Sequence, residues 1–171
     1  MLNKIILFAI SVSVSLTGCN ENSSRLGKSK ILERNISLKD KNTENIVKGY
    51  LEIEALLIRS DSVGSAYAAK SLSFYLDSLK TFPEILTSTR QIEYSKTLSA
   101  QRKVFSSLSN QLVSRVEKAG VEKGVVYLQY CPMANDGDGA YWISGNSEIR
   151  NPYFGDSMLE CGEVKRKISS R

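Results

Sequence analysis

The 171-residue chain has no histidine, and only three cysteines and three prolines. Without imidazole there is no Ser-His-Asp or Cys-His catalysis, no His-based zinc site and no His-ligated haem. No Ser-x-x-Lys, Cys-x-x-Cys, Walker loop or Gly-x-Gly-x-x-Gly occurs either, which removes the penicillin-recognising, thioredoxin-like and nucleotide-binding readings. The chain reads as a non-enzyme. Charge of one sign is also scarce: 23 basic residues face 18 acidic ones, and the resulting +5 is weak support for nucleic-acid binding. What is present is an ordinary globular composition, 42% hydrophobic and 24% charged, for which one domain is expected.

One apolar run without charge lies near the start of the sequence. Ile5 to Ser15 follows a short basic start and is too short to span a bilayer as a mature helix, so residues 1–18 read as a secretory signal. Leu16-Thr17-Gly18-Cys19 at its end resembles the lipobox of bacterial lipoproteins, which implies cleavage before Cys19 and a lipid on that cysteine. The mature chain would be extracytoplasmic and membrane-anchored, in the periplasm or on the cell surface, with a net charge of +4. Residues 19–41 are polar with little apolar periodicity and read as a flexible tether.

From about Thr43 the pattern turns helical. Ile46, Tyr50, Ile53 and Leu57 recur at steps of four, three and four, and Ala69, Leu72, Leu76 and Leu79 repeat the stripe behind a capping Asp61. Thr81-Phe82-Pro83-Glu84 has capping-box spacing and predicts a third helix near Phe82. Leu98, Phe105, Leu108, Leu112 and Val116 predict a fourth, closed by a left-handed Gly120. The expected fold is therefore mainly α: an up-and-down bundle of about four helices, the stripes forming its core.

Helical periodicity stops after Gly120, where six of the eleven glycines lie. Val125 to Tyr130 predicts a strand, Asn135 to Gly139 a turn, Ala140 to Ser144 a second strand, Asn151 to Asp156 an irregular loop, and Glu160 to Ile168 a last strand. The domain spans 42–168, with a small β and irregular subregion at its C-terminal end.

That subregion holds the soft donors. Cys131 and Met133 lie two residues apart around Pro132, and Met158 and Cys161 lie three apart. Thiolate and thioether select Cu(I) and Ag(I), so Cys131, Met133, Met158 and Cys161 form a candidate metal set if the strands that carry them are neighbours. A Cys131–Cys161 disulfide is the competing reading for an exported protein with two cysteines left after lipidation. Buried inert thiols, with the methionines as core filler, are a third. Asp136-Gly137-Asp138-Gly139 looks like part of an EF-hand loop, but its twelfth position is Ser147 rather than glutamate. Trp142 is read as an anchor of the small sheet rather than a ring facing a cation. Catalysis by Asp136, Asp138 and Glu148 is weaker than their role as solvated turn residues.

Taken in order, Tyr130-Cys131-Pro132-Met133, Gly139 to Ser144, Glu148 to Gly155 and Met158 to Gly162, together with Gln101 to Ser109, resemble the family catalogued as domain of unknown function 3347. The likeness runs from about Asn42 to Ile168. It implies a helical extracytoplasmic domain, found in lipoproteins and on periplasmic adaptor subunits of copper and silver efflux pumps, with no enzymatic reaction. Such adaptors are the partners it implies, beside the membrane reached through Cys19. Cys-Pro-Met is also similar to the start of a heavy-metal-binding motif that continues with His-Pro. Here Ala134 and Asn135 follow, which leaves any site dependent on sulfur.

Overall fold

Four helices arise where the apolar stripes recur and where a short polar side chain meets the first free N–H groups. The computed structural model describes residues 36–170; the lipobox-like segment, Cys19 and most of the expected tether lie outside them. Helix α1, Lys41–Ile58, starts at Asp40, whose carboxylate accepts from the N–H groups of Asn42 and Thr43. Helix α2, Ser62–Leu79, starts as expected at Asp61, which accepts from Gly64 N–H at 2.8 Å. A β-carbon at Gly64 would stand 2.5 Å from that carboxylate and 2.6 Å from Leu56, so the turn needs a residue without one.

The third helix begins differently from the capping box. Helix α3, Pro83–Tyr94, is preceded by Phe82 at φ 62°, and no side chain caps it. Lys80 and Phe82 both take positive φ to reverse the chain within a few residues, and Phe82 is held by packing on the core and by the Arg115 guanidinium 4.5 Å from its ring centre. Packing supplies what Thr81 does not. Helix α4, Leu98–Ala119, is capped by Thr97 and ends at Gly120, whose φ of 71° is positive, as expected, while its ψ of 132° lies outside the left-handed helical region.

Consecutive helices pack side by side and α4 returns to α1, which makes the expected up-and-down bundle. The predicted stripe residues Ile46, Tyr50, Ile53, Leu57, Ala69, Leu72, Leu76, Phe105, Leu108, Leu112 and Val116 are buried in one core, and Leu79 and Leu98 pack against it partly buried.

Two antiparallel sheets cover the bundle. Strand β1, Ser37–Leu38, pairs with β2, Val121–Lys123; β3, Val125–Cys131, lies between β4, Ala140–Ser144, and β5, Glu163–Ser169. Strands β1 and β2 lie outside the expected elements, and the last strand starts at Glu163 rather than Glu160. The boundary of the tether also changes. Residues 36–41 belong to the fold, because Leu38 is fully buried and its N–H donates to the Glu44 carboxylate at 3.0 Å. Strand β4 packs on α4, with Trp142 and Ile143 fully buried. Ile143 N–H donates to Tyr50 Oη, which also bonds Ser109 Oγ at 2.7 Å, so one tyrosine joins α1, α4 and the sheet.

Candidate metal-binding site

Cys131 closes β3, and Cys161 sits in the turn just before β5. Because β3 and β5 are antiparallel neighbours, with Tyr130 opposite Glu163, the two cysteines arrive at the same end of the sheet. Their sulfurs stand 2.6 Å apart. An S–S bond is about 2.0 Å, and two sulfurs sharing one ion need about 3.5–4 Å by extension from zinc–sulfur geometry; the separation lies between the two. Cys131 is fully buried and Cys161 only partly so, which leaves one open side to the pair.

Three residues hold this arrangement. Asn151, fully buried, donates from Nδ2 to the Cys161 carbonyl at 2.7 Å and accepts Tyr153 N–H on Oδ1 at 2.8 Å, while its own N–H donates to the Leu159 carbonyl. Gly162, at φ 142°, lies so close to the Tyr130 carbonyl and Trp142 that a β-carbon would be 2.9 and 2.8 Å from them. Arg102 on α4 donates from Nε to the Pro152 carbonyl and from Nη2 to the Leu57 carbonyl and Ser60 Oγ, tying the 150s loop to the end of α1. Sequence reasoning assigned none of them a role. The signals were there: Asn-Pro marks an Asx-type turn, and Arg102 lies within the helix text already noted.

Cys131 disfavours the ionisation of Cys161. The hydrogen bond with Cys131, then burial, then the neighbouring sulfur's charge push the Cys161 thiol up to about 11. In the reduced pair Cys161 is protonated at neutral pH, and an incoming soft ion has to displace protons, so its binding strengthens as pH rises.

The thioethers are placed less tightly. Met133 is 54% exposed and lines a groove of about 290 Å3 with Arg102, Lys103, Asn135, Asp136 and Phe154, and neither cysteine lines that groove. Met158 is partly buried at the end of the short 3₁₀ turn Gly155–Ser157, and its carbonyl accepts from Cys161 N–H at 3.2 Å. Neither methionine belongs to the core, so the core-filler reading is not met. Trp142, by contrast, is the buried anchor expected of it. Asp136 and Asp138 are exposed, and Glu148 pairs with Arg150 at 3.7 Å. Among the described residues, no three of His, Cys, Asp or Glu gather as a metal group. A site here consists of two thiolates plus whatever thioethers can swing in.

Among the described residues no helix is long and apolar enough to cross a membrane. No curated protein and no solved structure matches the chain. A family model described as "Protein of unknown function (DUF3347)" matches residues 46–124, from the first turns of α1 to the residue after β2. Cys131 and Cys161 lie beyond the matched residues. Over these residues, which form its helical bundle and β2, the chain is similar to the DUF3347 family.

Proposed function

We propose that this protein is a lipid-anchored, extracytoplasmic binder of Cu(I) or Ag(I) that assists metal efflux or resistance, handing its ion to a partner such as an efflux adaptor. The observation that carries the reading is the meeting of Cys131 and Cys161, thirty residues apart in sequence, at a partly open edge of the sheet. Exposed Met133 and the turn shared by Met158 and Cys161 supply thioethers two and three residues from the thiols. Soft sulfur donors without imidazole select monovalent copper or silver over harder ions. A loosely placed thioether suits a carrier, because ligand exchange can proceed one sulfur at a time.

A second reading rests on the same sulfurs: a Cys131–Cys161 disulfide that staples a non-catalytic interaction module. The full burial of Cys131 and the close approach of the pair favour it. Closing this loop would stabilise the fold by about 3.5–4 kcal/mol in the chain-entropy account.

Anaerobic titration of the reduced mature protein with Cu(I) against a competing chelator separates the two. One tightly held ion per chain is expected, lost in Cys131→Ser/Cys161→Ser and weakened in Met133→Leu/Met158→Leu. Equal copper binding by the cysteine double variant removes the carrier reading, and a complete disulfide in protein isolated from the envelope favours the staple.

A further inference from the structure

Helix α4 gives the molecule two ends. Its 22 residues span about 33 Å. Its first turns face the groove lined by Met133 and Phe154, beside the loops that hold the sulfurs. Its last turns meet Lys39 and Phe82, where Lys39 N–H donates to the Gly120 carbonyl. Strand β3 runs the same way, from Val125 beside β2 to Cys131 at the opposite end.

The charges divide along this axis. Around the end where the chain enters at Ile36, Lys39, Lys80, Lys118, Lys123 and Lys167 are exposed, and none makes an ion pair among the described residues. The carboxylates there are mostly engaged: Asp40 caps α1, Glu44 and Glu122 bond lysine, and Glu117 bonds Arg166. Glu84 is the exception, exposed and outside any ion pair in the first turn of α3. At the sulfur end the exposed groups outside any ion pair among the described residues are mixed, with the carboxylates Asp136, Asp138, Asp156 and Glu160 outnumbering the cations Arg59, Lys96 and Lys103.

From this polarity we infer that the lysine end of the domain docks on an anionic lipid surface and presents the sulfur end away from it. The inference rests on the lipid-anchor reading for its geometry. Sixteen residues separate Cys19 from Ile36, so a lipid on Cys19 keeps the lysine end within about 60 Å of the bilayer even at full stretch. Juxtamembrane lysines are drawn to anionic headgroups within a Debye length, about 8 Å at physiological salt. The carboxylates of the far end are repelled by the same surface. Docking thus fixes an orientation in which the Cys131–Cys161 edge faces away from the membrane, where a partner can reach it.

The test uses the mature lipidated chain on phosphatidylcholine vesicles with or without about 30% phosphatidylglycerol, and reads each lysine's reactivity toward a water-soluble acylating reagent by mass spectrometry. Lys39, Lys80, Lys118, Lys123 and Lys167 should become several-fold less reactive on the anionic vesicles, and recover near 1 M salt, where the Debye length is about 3 Å. Lys96 and Lys103 should not change. The surface variant Lys118→Glu/Lys123→Glu/Lys167→Glu should lose the protection while still floating with both vesicles. Uniform reactivity on the two vesicle types overturns the inference. Failure to float with phosphatidylcholine removes the anchor reading instead, and in that case flotation with anionic vesicles alone still upholds the docking face.

Discussion

The bundle and the β cap are stabilised by different kinds of contact. In the bundle, each helix buries an apolar stripe, and most positions need only be hydrophobic and of roughly the right size. In the cap, single residues hold single contacts: Asn151 on the Cys161 carbonyl, Arg102 on Pro152, and Gly139, where a β-carbon would stand 2.0 Å from the Tyr130 hydroxyl. The contrast separates two kinds of specification. A bundle tolerates exchange, whereas a cap specified atom by atom keeps two thiols in register.

The largest expected effect blurs that division. Phe105 is fully buried, stacks on Tyr50 at 4.8 Å and meets Tyr153 at 6.0 Å, so it serves both regions. Phe105→Ala should cost about 3–5 kcal/mol in urea unfolding and loosen bundle and cap together. Asn151→Ala sharpens the comparison. It removes two buried side-chain hydrogen bonds, should cost about 2–4 kcal/mol, and should abolish the thiol pairing. Leu76→Ala, of similar cost at about 2–4 kcal/mol, should leave Cu(I) binding intact. Equal copper binding by the two variants would erase the distinction between regions.

Smaller effects follow from titration. Glu44 is held down to about 2, first by the Lys48 hydrogen bond and then by Leu38 N–H, so its stabilisation is present above pH 4.5 and is lost as pH falls toward 2. Glu44→Gln should flatten that acid limb, cost about 1 kcal/mol at neutral pH and release β1 first, readable by hydrogen exchange at Leu38. The reduced cap behaves in the opposite sense. Because the folded Cys161 thiol is raised from 9.0 to about 11, the folded form binds more protons, and stability should fall as pH rises across that window. Oxidised protein should show no such slope there.

The bundle was legible because a stripe at helical spacing is a local signal, and Asp61 acts on an N–H three residues away; Asp40, read as part of the tether, caps α1 in the same way. Strand β4 was read at its true ends for the same reason. Thr81 misled because a capping box is also local, whereas the observed entry to α3 depends on Arg115, distant in sequence. Strands β1 and β2 are two and three residues long and exist by pairing with each other across the chain, which no periodicity records. The two cysteines stood out in the sequence as candidates, and the structure brings their sulfurs together. The placement of Met133 in a groove apart from both thiols depends on the turn after β3 and was not visible in the spacing.

The central claim is tested most directly by X-ray absorption at the copper edge of the reduced protein carrying one Cu(I). The account predicts a first shell of sulfur alone, at about 2.3 Å by analogy with zinc thiolates, with fewer scatterers after Met133→Leu/Met158→Leu. A shell containing nitrogen or oxygen, or a protein that retains no copper, would contradict it.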